Sequence, residues 1–157
     1  MAAGSTRPGQ ISHTLSVQPS PKLTPREVVI TQAYALHCGR VDVCFRFASP
    51  LNKLMTGPFE RFARLFEAPS RYSAMLGCER FFVEEDRLEC SRNLRRDLRQ
   101  TFVVTFWNSE SPRSSSTSQS YMWELSLSKV DSGECWCTDS VVPIDMESFW
   151  DGSLLED

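Results

Sequence analysis

Residues 121–128 of the chain read YMWELSLS, and this stretch decides the fold. Large apolar side chains occupy every second position, beginning with Tyr121, and mainly polar side chains lie between them. Successive side chains of a β-strand point to opposite faces of a sheet. The period of two therefore predicts a strand in a sheet that has one covered face and one solvated face.

The segments around this strand carry similar signals. Four further stretches rich in Phe, Val and Thr are predicted strands: residues 79–83, 87–90, 101–107 and 136–142. The turn signal at residues 131–133, Asp-Ser-Gly, is short enough to join consecutive strands into an antiparallel meander. Residues 108–120 are rich in serine and contain no apolar side chain, so they are expected to form a loop.

The first half of the chain carries helical signals. Residues 24–27 read TPRE, which is a capping box with a hydroxyl at the N-cap and a proline at the first helical position. Val29, Ala33 and Leu36 follow at the spacing of one helical face, and Gly39 supplies the glycine that commonly follows a helix end. A helix is therefore predicted over residues 25–38.

Two further segments follow before Gly77. A second run of apolar residues at helical spacing predicts a helix over residues 58–67, which Pro69 ends. Residues 41–48 read VDVCFRFA, and their alternation favours a half-buried strand. A short helix fits as well, because so few and so largely apolar residues cannot separate the two periods. Pro50 ends either element.

Helices followed by strands predict an α+β fold, in which N-terminal helices pack against one face of a curved antiparallel sheet. A length of 157 residues favours a single domain, placed at residues 24–143. Residues 1–23 combine prolines and glycines with serines and threonines and are expected to form a disordered arm. Residues 144–157 form an acidic tail that also contains Phe149 and Trp150. We expect residues 1–22 and about 147–157 to be unpacked.

Composition and charge exclude several functional classes. The chain has 17 basic and 20 acidic residues, so its net charge of −3 gives no general attraction to nucleic acid or to an anionic membrane. No apolar run approaches the roughly 18 residues of a membrane span, and the N-terminus lacks the apolar core of a secretory signal. We expect a soluble intracellular protein with no nucleic-acid and no membrane partner. Its compartment is the cytoplasm or, because the N-terminus is poor in acidic and rich in hydroxyl residues, the chloroplast.

The chain has few of the residues that usually bind metals, and its arginines, which could bind phosphates, lie among acidic residues. Six cysteines are expected to be reduced, because the chain is long enough to fold on its core and shows no secretory signal. With only two histidines and no Cys-x-x-Cys, neither a metal site nor a cofactor is expected. A basic stripe at helical spacing is interpreted as a solvated face, because acidic residues offset it and no aromatic side chains are interleaved: Arg92, Arg95, Arg96 and Arg99.

Four stretches carry a resemblance to a known family: LTPREVV at residues 23–29, FRFASP at 45–50, TGPFERF at 56–62 and GECWCTDSV at 133–141. Together they resemble an uncharacterised domain-of-unknown-function family of plants, algae and bacteria, over about residues 23–143. Members of that family look like the cone-shaped fold of nuclear transport factor two. The resemblance implies that residues 41–48 are helical, against their alternation, and that the sheet curls around the helices to leave an apolar pocket.

The same resemblance directs attention to candidate site residues. Enzymes of this fold place an aspartate or histidine with a tyrosine in the pocket, as a general base and an oxyanion partner. The residue types that could match are Asp139 and Asp42 for the base and Tyr34 and Tyr121 for the partner. His37, near the end of the first helix, has a structural explanation in the helix dipole. Six aromatic side chains are candidates for lining the pocket: Tyr34, Phe45, Phe47, Phe62, Trp123 and Trp136.

Two functional hypotheses follow from different classes. The first is a non-catalytic binding module of the nuclear transport factor two-like class that recognises a protein partner or a small apolar ligand. Such a module could also form a homodimer through its sheet face. The second is a small isomerase, dehydratase or hydrolase that uses a buried aspartate as its general base. A buried carboxylate that faces a roomy pocket would favour the enzyme over the binding module.

Overall fold

The computed structural model describes residues 15–85, 99–109 and 117–144 of the chain. Within these ranges four helices precede four strands. The helices are α1 (Pro25–His37), α2 (Val41–Arg46), α3 (Pro50–Thr56) and α4 (Phe59–Arg64). The strands are β1 (Arg80–Glu85), β2 (Arg99–Asn108), β3 (Thr117–Val130) and β4 (Gly133–Ile144). The predicted α+β class is confirmed.

The four strands form one antiparallel sheet in the order β1-β2-β3-β4. The alternation predicted for residues 121–128 is present in β3, where Tyr121, Trp123 and Leu125 are fully buried. The inner face of β2 continues this layer, because Phe102 pairs with Trp123 across the sheet. The helices cover this face and leave the other face of the sheet open within the described residues.

The connection between β2 and β3 is shorter than predicted. The loop expected over residues 108–120 is too long, because Asn108 pairs with Thr117 and the following residues through Ser120 belong to β3. Residues 117–120 are in the strand because their backbones pair with β2, and this pairing does not need apolar side chains. The strand predicted over residues 87–90 lies outside the described residues.

Helix α1 begins and ends close to its predicted limits. The Thr24 hydroxyl accepts a hydrogen bond from the Glu27 amide at 3.2 Å, and the Glu27 carboxylate accepts one from the Thr24 amide at 3.0 Å. This reciprocal pair is the predicted capping box. Gly39 has a φ of 77°, a left-handed conformation that glycine adopts without a Cβ penalty, so the chain can turn after the helix.

Of the residues 41–48 predicted to be helical, 41–46 form helix α2, so the helical prediction is confirmed there and the strand favoured by the alternation is wrong. Phe47 caps the helix and Ala48 forms a bridge with Thr138, so the prediction is too long by two residues. The helical period and the strand period predict the same buried positions in this short segment. Val43 and Phe47 are both fully buried and lie four residues apart, a spacing that serves one face of a helix as well as one face of a strand.

Helix α3 was not anticipated. The preceding helix ends at Arg46, before Pro50 is reached, and Pro50 instead occupies the first turn of α3. Ser49 caps α3 by accepting a hydrogen bond from the Asn52 amide at 3.1 Å. The periodicity gave no signal because α3 buries none of its residues. Helix α4 confirms the helix predicted over 58–67, although its regular part is shorter.

The segment that precedes α1 packs against the domain from residue 15 onward. The Arg46 guanidinium donates hydrogen bonds to the carbonyls of Leu15 at 3.1 Å and Val17 at 2.9 Å, and both of these side chains pack on the core. The Ser132 hydroxyl also donates to the Pro19 carbonyl at 2.9 Å. The expectation of an unpacked segment is therefore wrong for residues 15–22. Residues 1–14 and the acidic tail from 145 lie outside the described residues.

No helix in the described part of the chain is long and apolar enough to cross a membrane.

The five cysteines within the described ranges differ sharply in exposure. Cys38 is exposed, whereas Cys44, Cys78, Cys135 and Cys137 are buried. Burial raises the pKa of the Cys44 and Cys78 thiols to about 12, because the charged thiolate loses its hydration. Burial also raises the pKa of Cys137, and the neighbouring Cys135 adds to this effect. These three buried thiols are therefore protonated at neutral pH.

We expect iodoacetamide at pH 8 to modify Cys38 well before Cys44 and Cys78 in the folded protein. A thiol with a pKa near 12 is ionised in only about one molecule in 10,000 at that pH, and the thiolate is the reactive form. Peptide mapping after timed labelling measures this order. After denaturation without reductant, all six thiols should react, and an intact mass that shows fewer than six modifications would contradict the expected reduced state.

Candidate ligand cavity

A cavity of about 420 Å³ lies between the helices and the β3–β4 side of the sheet. Its lining is predominantly apolar, with Leu36, Phe66 and Met75 among the contributing side chains. Polar side chains from α3 and β4 are set into this lining: Asn52, Thr56, Thr138, Asp139 and Ser140. Pockets for small molecules usually have this composition, with an apolar body and a few polar groups.

A buried polar cluster of Gln32, Trp123 and Thr138 forms one wall of the cavity. The Trp123 indole N–H is shared between the Gln32 side-chain oxygen at 2.9 Å and the Thr138 hydroxyl at 3.2 Å. The Thr138 hydroxyl donates to the same Gln32 oxygen. The Gln32 amide nitrogen donates to the Cys44 carbonyl at 3.0 Å. Every polar atom of the cluster therefore has a partner, which fixes the cluster rather than leaving it available to a ligand.

The backbone of Thr138 joins the sheet to the helices. Its amide donates to the Phe47 carbonyl at 2.9 Å, and its carbonyl accepts from the Ser49 amide at 2.8 Å. The same carbonyl accepts from the Asn52 side chain at 3.0 Å. These bonds hold the α2–α3 connection against β4 and so fix the width of the cavity.

Asp139 lies at a β-bulge in β4. Leu125 pairs with Thr138 and Glu124 pairs with Ser140, so Asp139 is the extra residue that has no partner on β3. A bulge breaks the alternation of a strand and redirects the side chains next to it. Three consecutive residues, Thr138 to Ser140, consequently border the cavity, and Asp139 is half-buried there.

Two of the six aromatic residues predicted to line the pocket do line the cavity, and four do not. Phe62 and Trp123 line the cavity, whereas the other four lie elsewhere. Tyr34 faces His37 on the β1 side of the core, and Phe47 is buried beneath α2. Phe45 packs edge-on against Phe59. Trp136 lines a separate depression beside residues 24–26 at the other end of β4.

The two aspartates predicted as candidate general bases lie in different places, and only Asp139 borders the cavity. Asp42 lies on the surface with its side chain 48% exposed and forms a salt bridge with Arg40 at 2.9 Å. The hydrogen bond from Arg40 holds the pKa of the Asp42 carboxyl below its ordinary value, so Asp42 is ionised and outside the cavity. Asp139 is thus the predicted carboxylate that the cavity contains.

Tyr121 does not reach into the cavity as an oxyanion partner. Its hydroxyl donates to the Arg71 carbonyl at 2.6 Å, and burial raises its pKa to about 12. His37 likewise has a structural partner, since its Nδ1 atom lies within hydrogen-bonding distance of the Cys78 carbonyl. Tyr72, which stacks on Tyr121, is the tyrosine that lines the cavity, and it was not predicted.

Gln32 and Asn52 were also missed by sequence reasoning. Gln32 had a detectable signal, because it lies three residues after Val29 and four before Leu36, on the predicted buried face of α1. A glutamine at such a position needs buried partners. Asn52 had no comparable signal, because α3 itself was not predicted.

Four exposed apolar side chains border or adjoin the mouth of the cavity, and we call them the apolar lip: Leu51, Leu54, Met55 and Leu65. Met55 and Leu65 line the cavity itself. Leu51 and Leu54 continue the surface from Met55 along α3, with exposures of 64% and 78%. In other proteins, contiguous exposed apolar surface often coincides with a binding site.

Neither a metal site nor the basic stripe is supported where the chain is described. No cluster of three or more His, Cys, Asp or Glu side chains that could hold a metal ion occurs within the described residues. Arg99 begins β2 and pairs with Glu124 at 3.2 Å, so the predicted helical stripe is wrong at that residue. Arg92, Arg95 and Arg96 lie outside the described residues.

Comparison of the chain with models of known families, with curated proteins and with solved structures finds no match.

We expect the buried polar cluster to contribute measurably to stability. Replacing Gln32→Met removes the shared acceptor of Trp123 and Thr138, and the Cys44 carbonyl keeps the Phe47 amide as its donor but loses the Gln32 side chain. The free energy of unfolding should fall by about 1–3 kcal/mol, the usual cost of leaving buried polar groups unpaired. Urea denaturation measures the change.

A matched pair of variants controls for the loss of a hydroxyl. Thr138→Val removes a hydroxyl of the cluster, whereas Thr117→Val removes one from an exposed position at the start of β3. The first should destabilise the domain, and the second should change stability by less than about 0.5 kcal/mol. Equal effects of the two variants would show that the cluster has no special role.

Proposed function

We propose that this domain is a non-catalytic binding module of the nuclear transport factor two-like class and that it takes up a small apolar ligand. The observation that carries the proposal is the cavity of about 420 Å³, which is lined mainly by apolar side chains. This volume lies within the range of sites that hold small molecules. The exposed lip at the cavity mouth adds apolar surface along which such a ligand can enter.

The fold class assigned in this proposal is supported by the arrangement of layers. Helices cover one face of an antiparallel sheet, and the cavity opens between the two layers. The β-bulge at Asp139 bends the edge strand β4, as bulges do where a sheet curls around helices. Fold class alone does not assign an activity, so the ligand proposal depends on the cavity.

The polar groups at the cavity also favour binding over catalysis. The cluster of Gln32, Trp123 and Thr138 is internally satisfied, and the Tyr121 hydroxyl is engaged by a backbone carbonyl. An enolising or hydrating enzyme needs a free donor beside its general base, whereas the Asn52 amide and the Thr56 hydroxyl at the cavity already donate to backbone carbonyls. The ligand that fits this lining has an apolar body and at most one or two polar groups, which would meet Asp139 or Asn52.

We expect Thr56→Trp to weaken binding of the fluorescent probe N-phenyl-1-naphthylamine by tenfold or more. Thr56 lines the cavity, so an indole at this position would occupy space that the probe needs. Fluorescence titration measures the dissociation constant. Thr117→Trp makes the same exchange at an exposed residue outside the cavity and should leave binding unchanged.

Two results would contradict the ligand proposal. One is a probe affinity that neither variant changes, because the probe would then bind outside the cavity. The other is a folded wild-type protein to which the probe does not bind at all.

Asp139 supports a second candidate function, a small isomerase, dehydratase or hydrolase. Asp139 is a half-buried carboxylate that borders the cavity. In this alternative its carboxylate accepts a proton from a bound substrate, and Tyr72 is the tyrosine near enough to the cavity to stabilise the developing charge. The binding proposal ranks first because the cavity lining is mainly apolar and the Asn52 amide and the Thr56 hydroxyl already donate to backbone carbonyls.

The variant Asp139→Asn distinguishes the two functions whatever the chemical identity of the ligand. Wild-type and variant proteins are produced in the source cells, and organic extracts of the purified proteins are compared by mass spectrometry. A binding module should yield the same compound from both proteins. If the wild-type protein instead yields both a substrate and its product, and the variant yields the substrate alone, then the protein is an enzyme.

The homodimer through the sheet face stays a proposal. Phe82 is 53% exposed and Met122 is 37% exposed, and the strand pairing places both on the face that the helices do not cover. Apolar residues on an open sheet face support self-association. A protein partner that docks on the same face would use the same side chains.

A further inference from the structure

Asp139 is the one charged side chain that lines the cavity where the chain is described. Among residues 15–85, 99–109 and 117–144 its carboxylate takes part in neither a salt bridge nor a hydrogen bond. A carboxylate accepts hydrogen bonds and donates none. The donors beside it are engaged, because Asn52 and Thr56 donate to backbone carbonyls at 3.0 Å and 2.9 Å. A partner for Asp139 can therefore come from a ligand.

The basic side chain of Lys53 lies near this end of β4 and does not line the cavity. Besides burial, which has the largest effect, Lys53 lowers and Asp139 raises the pKa of the Cys137 thiol, so both charges act on that group. The Lys53 ammonium donates to the Arg46 carbonyl at 3.5 Å and lies over the Phe45 ring at 5.2 Å. Lys53 lines a neighbouring depression rather than the cavity. Its contacts thus engage it away from Asp139.

The other charged side chains of residues 50–71 are exposed to solvent, and none of them lines the cavity: Glu60, Arg61, Arg64, Glu67 and Arg71. Water and salt screen exposed charges strongly, whereas a half-buried charge beside apolar groups is screened less. The negative charge of Asp139 therefore dominates inside the cavity, although the exterior of this region carries more basic than acidic groups.

The apolar surroundings of Asp139 favour a positively charged partner over a neutral one. A charge beside apolar side chains is costly unless an opposite charge meets it. A neutral donor would satisfy one hydrogen bond and leave the charge itself uncompensated. The aromatic rings of Phe62 and Tyr72 also line the cavity, and aromatic faces attract cations.

We propose that the ligand of this cavity is an apolar amine whose protonated nitrogen binds the Asp139 carboxylate. The inference rests on the proposed function and adds the charge of the ligand to it. The nitrogen meets Asp139 at the edge of the cavity, and the alkyl or aromatic body lies among Leu36, Phe66 and Met75. Anionic amphiphiles such as fatty acids are excluded, because their carboxylate would meet that of Asp139.

The test compares three ligands that have the same alkyl chain and differ in charge: octylamine, octan-1-ol and octanoate. Each displaces N-phenyl-1-naphthylamine, which is uncharged at neutral pH, from the full-length protein. Octylamine should bind about tenfold or more tightly than octan-1-ol, because a hydrogen bond between opposite charges is about twice as strong as a neutral one. Octanoate should bind most weakly.

The variant Asp139→Asn keeps the shape of the side chain and removes its charge. It should lower the affinity for octylamine to that for octan-1-ol and leave the affinity for octan-1-ol unchanged. Asp42→Asn is the matched control, since it removes the same charge from a surface carboxylate that pairs with Arg40 outside the cavity. It should leave the affinities for all three ligands unchanged.

The neutral ligand distinguishes failure of this inference from failure of the proposed function. If octan-1-ol binds and octylamine binds no more tightly, the ligand is not a cation, and the binding module stands. A preference for octylamine that Asp139→Asn retains would also overturn the inference, because the positive charge would then be bound elsewhere. If the folded wild-type protein binds neither the probe nor any of the three ligands, the proposed function fails and the inference fails with it.

Discussion

The polar contacts of Thr138 join the two layers of this domain at one point within the apolar core. Its side chain completes a buried cluster with Gln32 of α1 and Trp123 of β3, and its backbone binds the connection between α2 and α3. Buried polar groups stabilise a structure only when every member is paired, so these bonds fix a single arrangement of helix and sheet. The cavity lies beside this cluster because α3 is held at its first turn and buries none of its own residues.

The bulge at Asp139 follows from the same constraint. Thr138 faces inward to reach Gln32, and Val141 faces inward because it pairs with the buried Trp123. In a regular strand two residues that face the same side have an odd number of residues between them, but two residues separate Thr138 from Val141. The extra residue resolves the conflict and brings a carboxylate to the edge of an otherwise apolar cavity. The chemistry available to a ligand is therefore a consequence of how the layers are joined.

Local signals in the sequence predicted much of the fold. The capping box at residues 24–27 set the start of α1, and the alternation at 121–128 identified the buried face of β3. The site was harder to predict because it depends on which end of each element faces the cavity. Trp136 and Thr138 lie on one strand, but Trp136 faces the other end of the sheet. Strand register and the bulge depend on pairing between distant residues, which the period of a single strand does not contain.

We propose that the space beside Thr138 is a binding site for a small apolar molecule. Native mass spectrometry of the protein purified directly from its source tests this claim most directly, because it reports the intact protein together with anything bound to it. We predict a population heavier than the chain by the mass of one small molecule, and Thr56→Trp should abolish that population. A wild-type protein that carries no small molecule under conditions that preserve non-covalent complexes would contradict the account.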